Sequence, residues 1–360
     1  KKKIKINWIK INNLLMKNNN NKILITERVI KEDNKIEDKL LNNINLRSYL
    51  AGLIEGDGTI SIPKDRNPSI SIVFNNNDKE LAVYLSQILN CGNVYKSKGN
   101  YINWVIQDLE NVYKILVLIN GYMRTPKYYY LKYAINKLNN YIINNNNNNN
   151  IKIKSILKKI DIIEIKPLDK SELNTNAWLA GMLDADANFS INFEKKNGKP
   201  KRVKPYFRLE LKQNYNIDNN ITLTNYLSNS KVSKDIDNEL NLNYLNIMTK
   251  IAKLFNTSLN TRERNLKLKN DYKIYYSYLI MVNNITNNLK VINYLDNYPL
   301  LSSKRLNYLD WASVILFINK NGQSVLPNGS WDYAKNIIKD FNSIRTTFTW
   351  DHLNNNIYNN

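Results

Sequence analysis

From Thr59 to Asn75 apolar and polar residues alternate with period two, Ile60, Ile62, Ile70, Ile72 and Phe74 on one side, Ser61, Ser69, Ser71 and Asn75 on the other. That alternation predicts strands at Thr59–Ile62 and Ser69–Phe74 with the isoleucines in a core. The spacing becomes helical over Lys79–Leu89, returns to strand on either side of Gly99-Asn100, and is helical again over Asn111–Ile119. A second series follows the same order. Its strands are Phe189–Phe193 and Tyr206–Lys212, joined by a turn at Asn197-Gly198, then a helix at Tyr244–Phe255, strands at Ser258–Arg264 and Lys273–Val282, and a helix at Ile285–Leu295. Phe189, Ile191, Phe193, Phe207, Leu209 and Leu211 read as core, leaving Ser190, Asn192, Glu194, Arg208, Glu210 and Lys212 outward. Apolar runs such as Ile115–Ile119 and Leu279–Val282 fall far short of the roughly 20 residues a membrane span needs. A soluble protein with no membrane partner is predicted.

Two similar segments head these series: Leu50-Ala-Gly-Leu-Ile-Glu-Gly-Asp-Gly58 and Leu179-Ala-Gly-Met-Leu-Asp-Ala-Asp-Ala187, offset by 129 residues. An offset of that size is a small domain, not a solenoid repeat. With its segment, each half reads αββαββα. Glycine is scarce, 10 in 360 residues, roughly 3% against a usual 7%, so the four in these segments stand out. Helical spacing puts Gly52 beside Gly56 and Gly181 beside Ala185 on one face, with Ala51 and Ala180 next to them. Small residues at that spacing let two helix backbones approach, and the two helices are expected to pack on each other. Tyr122-Met-Arg-Thr-Pro-Lys127 also resembles Leu300-Leu-Ser-Ser-Lys304, each leading into a helix. Lys304 lies much farther from its segment than Lys127 does, which implies an insertion near 214–243. The expected organisation is a basic extension at 1–44, a first half at 45–143, an Asn-rich and basic linker at 144–171, a second half at 172–320, and a C-terminal helix and tail at 321–360.

Lys and Arg number 52 against 31 Asp and Glu, a formal charge of +21, which favours a polyanionic partner and makes nucleic acid the leading choice. One cysteine, Cys91, excludes an internal disulfide, and one histidine, His352, excludes a Cys/His zinc site and argues against His-dependent nucleophilic catalysis. His352 reads as a solvated side chain near an Asn-rich end. Any metal must be held by oxygen. Abundant Asn, Lys, Ile and Tyr share AT-rich codons, as in many mitochondrial genomes, so the Asn144–Asn150 run reads as a loop rather than a chemical device. The sequence begins at Lys1 with no signal-peptide pattern, as a trimmed or fused reading frame would.

Glu55 and Asp57, then Asp184 and Asp186, sit at the C-terminal ends of the two helices, where carboxylates oppose the macrodipole by about 0.3 to 1 kcal/mol each. Side-by-side parallel helices would bring these acids together, and the resulting repulsion is relieved by a divalent cation.

Over Asn45 to Trp311 the chain resembles the LAGLIDADG homing endonucleases in their single-chain, two-motif form. The resemblance implies an α+β fold, a pseudo-twofold pair of αββαββα halves whose two antiparallel sheets form a saddle on duplex DNA. It implies a monomeric, sequence-specific double-strand DNA endonuclease using Mg2+, with Mn2+ as a substitute. Asp57 and Asp186 match the acids that bind the catalytic metals, and Glu55 and Asp184 the earlier, supporting acids. Lys127 and Lys304 are possible basic helpers. Outward residues Ser61, Lys64, Arg66, Ser69, Ser71, Lys96, Lys98, Asn192, Arg208, Lys212, Arg262 and Arg264 are the candidate DNA contacts. A mitochondrial location and a group I intron origin follow from the same resemblance and the codon bias. One departure stands out: Ala187 occupies the second motif's final position, where the first has Gly58, so the second centre is either distorted or built on ordinary backbone angles. An intron RNA maturase with weak or lost cleavage, or a structural RNA- or ribosome-associated protein, fits the same charge and the basic stretches Lys1–Lys10 and Lys152–Lys159.

Overall fold

The computed structural model describes residues 38–215, 242–267, 272–354 and 358. The expected extension up to residue 37 and most of the expected insertion, 216–241, lie outside the described residues. Residues 1–43 and 44–360 form separate units. Of the first, residues 38–42 are helical; all that follows concerns the second.

In chain order the second unit begins with helix α1 (Ile44–Asp57), strands β1 (Gly58–Ser61) and β2 (Ser69–Asn75), and helix α2 (Lys79–Ile88). Strands β3 (Asn93–Lys96) and β4 (Tyr101–Ile106) and helices α3 (Leu109–Ile119) and α4 (Tyr128–Asn145) follow. A short helix α5 (Ile151–Leu157) precedes the second series: α6 (Trp178–Asp186), β5 (Ala187–Lys196), β6 (Lys199–Lys212), α7 (Leu245–Leu254), β7 (Leu259–Lys267), β8 (Tyr272–Val282), α8 (Ile285–Asn297) and α9 (Lys304–Asn321). The C-terminal segment adds α10 (Ser330–Ile337) and α11 (Asp351–Asn354).

Each series builds a four-stranded antiparallel sheet with the same connectivity, β1-β2-β4-β3 and β5-β6-β8-β7. This is the predicted α+β pair of αββαββα halves. Period-two patterning sets the register: Ile60 pairs with Ile70 and Phe74 with Ile102, all buried, and Phe207 pairs with Val282 and Leu209 with Ile280 in the second sheet. The β5–β6 hairpin turns through Asn197 and Gly198 at φ +51° and +75°, the left-handed pair that a two-residue hairpin loop demands.

Several expectations needed correction. Ile62 lies past the end of β1 and is half-exposed, because Pro63 has no N–H to continue the ladder. Phe193 is only half-buried, its ring packing edge-on against Trp331 of α10 at 4.9 Å. The Asn run is not wholly loop: Asn144 and Asn145 end α4, and Asn150 caps α5, its side chain accepting from the Lys152 N–H at 2.9 Å. The stretch that follows is fastened to the first half: Asn120 Nδ2 donates to the Glu164 carbonyl at 2.7 Å and the Asp169 N–H to that of Met123 at 2.9 Å. His352 is half-buried, with Nε2 3.0 Å from the Leu301 carbonyl.

Candidate active site between the paired helices

Helices α1 and α6 run parallel and in backbone contact. A Cβ added at Gly52 would lie 1.9 Å from the Trp178 carbonyl oxygen, and one at Gly181 would lie 2.0 Å from that of Tyr49. One turn on, a Cβ at Gly56 would meet that of Ala185 at 2.2 Å. Ala51 and Ala180, also expected at this interface, are fully buried beside these glycines. The small-residue spacing therefore sets the distance between the helices.

The four acids separate into two pairs with different environments. Glu55 and Asp184 are buried and fully engaged. Glu55 accepts from the backbone N–H groups of Arg124 and Thr125 at 3.0 and 2.6 Å, from the Thr125 hydroxyl at 2.5 Å, and from the indole of Trp178 at 2.5 Å. Asp184 accepts from the backbone N–H groups of Leu301 and Ser302 at 2.7 and 3.3 Å, from the Ser302 hydroxyl, and from the hydroxyl of Tyr49 at 2.7 Å. Each carboxylate thus joins the opposite motif's aromatic anchor to its own half's pre-helix turn. Burial pushes the Glu55 carboxyl up, and these four donors pull against it.

Asp57 and Asp186 are exposed at the ends of the same helices. The protein packed around the Asp57 carboxyl and the charge of Asp186 push it up to about 6, while Lys304 and Lys127 act in the other direction. Partial burial also raises Asp186, against the pull of Lys304, Lys127 and Lys212. Asp186 is thus within electrostatic reach of Asp57.

Lys127 and Lys304 answer the macrodipole problem. Lys127 Nζ donates to the carbonyls of Ile54, Gly56 and Gly58 at 2.9, 3.3 and 2.6 Å, and Lys304 Nζ to those of Leu183 and Ala185 at 3.1 and 3.0 Å. Each ammonium closes the C-terminal end of its motif helix. Burial pushes Lys127 down to about 8 and also lowers Lys304.

Ala187 takes φ −76° and ψ 154°, ordinary extended backbone, and Gly58 is not among the positive-φ glycines. Glycine in the first motif answers to crowding instead: a Cβ at Gly58 would lie 2.7 Å from Ile54 Cα.

The predicted contact residues fall on two faces. Ser61, Ser69 and Ser71 share the uncharged face of the first sheet with Val73, Asn75, Tyr95, Tyr101 and Asn103. Lys96 does not join them: it pairs with buried Ile102 and sits at the sheet's edge on the opposite face. Lys64, Arg66 and Lys98 are exposed in loops. Asn192, Arg208, Lys212, Arg262 and Arg264 share the polar face of the second sheet. Lys212, half-buried, lies close enough to Asp186 to influence it and places its ammonium 4.2 Å from the Tyr215 ring centre.

Sequence reasoning missed Asp78, whose carboxylate accepts from the Ser303 N–H at 2.6 Å and so clasps the second half from the first. It lines a cavity of about 310 Å3 with Asp57, Asp184, Ser303 and Lys304. Thr125 and Ser302 were also missed as acceptor-closing hydroxyls, although the shared hydroxyl-x-Lys spacing at Thr125–Lys127 and Ser302–Lys304 carried the signal.

The LAGLIDADG endonuclease family model matches residues 50–137 and 220–315. The intron-encoded DNA endonuclease aI3 of Saccharomyces cerevisiae is 44% identical over 350 residues, covering 94% of this chain and 77% of that protein. The intron-encoded RNA maturase bI4 of the same yeast is 26% identical over 174 residues, covering 48% of this chain and 23% of that protein. Among solved structures, the homing endonuclease I-GzeII in complex with its DNA target superposes with a TM-score of 0.54 at 15% identity, over 83% of this chain and 99% of that one. Motifs, fold and relatives agree, and the chain belongs to the LAGLIDADG endonuclease family.

Proposed function

We propose that this chain is a sequence-specific DNA endonuclease that hydrolyses both strands of its target with Mg2+, Mn2+ substituting, and acts as a monomer because one chain supplies both halves. The observation that carries this reading is the placement of Asp57 and Asp186, exposed at the ends of the paired helices α1 and α6 and within electrostatic reach of each other, each leading into a sheet of the same topology with a polar face. The similarity to a yeast intron-encoded DNA endonuclease supports the substrate class.

The donor set fits a hard cation. Two carboxylates converge with no further cluster of three or more His, Cys, Asp or Glu among the described residues, which suits an ion that keeps most of its waters and completes its shell with phosphate oxygens. Bound there, the ion would supply an activated water and charge stabilisation at the phosphate. The chain's own contribution is positional. Glu55 and Asp184, held by their buried donors, hold the helix ends in register, and Lys127 and Lys304 neutralise the carbonyl ends so that two acids can stand beside each other. The ordinary backbone at Ala187 supports a competent second centre. We propose the domain boundaries given above for the enzyme, and a mitochondrial, group I intron origin on the codon bias.

Cleavage of duplex DNA spanning the joined exons that flank the host intron is the test. Wild type with Mg2+ should cut both strands, and Asp57→Asn and Asp186→Asn should each lower the rate at least about a hundredfold. Uncut DNA with wild type would end the endonuclease reading. The maturase reading rests on the similarity to bI4 and on the lysines of 152–159 around α5; stimulated splicing of the host intron RNA by a protein that cuts no DNA would establish it.

A further inference from the structure

The polar face of the second sheet gathers its charge around two carboxylates. Glu210 in β6 accepts from Arg208, from Arg262 Nη1 at 3.2 Å, from Arg264 Nη2 at 2.6 Å and from the buried Ser277 hydroxyl at 2.7 Å. Glu194 pairs with Lys201, Arg202 and Lys204 at 2.8, 2.8 and 2.5 Å near the hairpin. The two groups differ in depth. The Glu210 side chain is 11% exposed beneath arginines at 30 to 40%, whereas Glu194 is 25% exposed among side chains at 45 to 49%. Only the first is a built arrangement rather than a solvated cluster.

A carboxylate has about four acceptor positions, and four donors occupy those of Glu210, so it has none left to read a base. Burial alone would push its carboxyl up, but the Ser277 hydroxyl and the neighbouring arginines hold it below the usual range, and it stays ionised. Each arginine's bond to Glu210 uses one of five N–H donors and leaves the others, on side chains that stay 30 to 40% exposed, for a further partner. The Arg264 guanidinium also lies 5.1 Å from the Tyr275 ring centre, and its Nε is buried without a partner among the described residues. An unrestrained arginine swings readily to the nearest phosphate, which carries no sequence information. One held by a carboxylate keeps its fork in a fixed orientation and loses part of its net attraction to the backbone. The corresponding face of the first sheet, with Thr59, Ser61, Ser69, Ser71, Val73, Asn75, Tyr101 and Asn103, carries no charge on its strands.

We propose that Glu210 is a positioning residue that holds Arg208, Arg262 and Arg264 as guanine readers, so that the DNA half-site beneath the second sheet presents G·C pairs to this cluster, a strand-borne readout that the first sheet does not have. Bidentate contact of a guanidinium with guanine O6 and N7 is the chemistry that suits a fixed fork. This inference rests on the proposed reading of the chain as a sequence-specific DNA binder.

The test is selection of bound duplexes from a randomised DNA library by the full chain, with EDTA present to prevent cleavage. The expected enriched sequence has guanines in the half-site beneath the second sheet, and Arg262→Ala and Arg264→Ala each lower the preference at some of those positions, and at none in the other half, about tenfold. Glu210→Gln should lower the preference at the same positions, leave the other half unchanged, and steepen the salt dependence of binding to unrelated DNA, since freed arginines move to phosphates. A purely structural role for Glu210 would weaken all positions together and leave the salt slope alone, which would overturn the proposal. Enrichment without guanines in the half-site beneath the second sheet, or guanines there untouched by Arg262→Ala and Arg264→Ala, overturns it too while leaving DNA recognition standing. A library with no enriched duplex would sink DNA recognition itself, and this proposal with it.

Discussion

At their motif ends the two halves are nearly interchangeable; on their sheet faces they part in charge. Glu55 and Asp184 each accept from the opposite half's aromatic residue and from a backbone turn, and Lys127 and Lys304 each close a helix by its carbonyls. Yet the first sheet shows serines, asparagines and tyrosines where the second shows Arg208, Glu210, Lys212, Arg262 and Arg264. The contrast follows from what each region must satisfy. Helices in backbone contact admit few side chains and leave buried donors that demand acceptors. A solvated strand face constrains only its alternation, and its chemistry is free to follow the partner.

The strongest challenge to the symmetry of the motif region is steric. Gly52→Val and Gly181→Val each force a branched side chain into the facing backbone, and each should cost at least about 3 kcal/mol in urea unfolding. A large loss for one and not the other would show that the two glycines are not equivalent. Next come the buried acids. Glu55→Ala and Asp184→Ala strand N–H, hydroxyl and aromatic donors that have no water to turn to, at about 3 kcal/mol each. Similar losses would confirm that Trp178 and Tyr49 serve the two halves alike.

Two smaller effects sharpen the differences. Gly58→Ala places a methyl against Ile54 and should cost about 1 to 3 kcal/mol, whereas Ala187→Gly should cost about 1 kcal/mol or less, mostly in chain entropy. A sizeable loss of cleavage with Gly58→Ala but none with Ala187→Gly would show that the two turns differ in packing and not in competence. Finally, Asp57 binds its proton more tightly in the folded chain, its carboxyl standing at about 6 against 3.8 unperturbed. Its contribution to stability is therefore fullest below about pH 4 and is lost as pH rises through 6 in the absence of divalent cation. Asp57→Asn should flatten that part of the stability profile, and added Mg2+ should oppose the loss in the parent protein.

Much of this could be read in advance where a local pattern has one solution. Ile60, Ile70, Ile72 and Phe74 had to face one way because a strand alternates, and Gly52 with Gly181 had to sit where backbones meet. The pattern misled where neighbours from far along the chain intervened: Phe193 met Trp331, and His352 found the Leu301 carbonyl. Lys96 lies on the face opposite the serines, since its register depended on where the hairpin turned.

By itself the sequence determined the repeat, the order of elements, the two small-residue helix faces and the four acids that end them, because each is encoded within a few residues by period and size. Only the tertiary structure decided which acids are buried joints and which are exposed, that the two lysines are helix caps, and that one glutamate gathers three arginines. Those assignments depend on which donors arrive from segments tens of residues away, and desolvation makes each such meeting count for far more than any local preference.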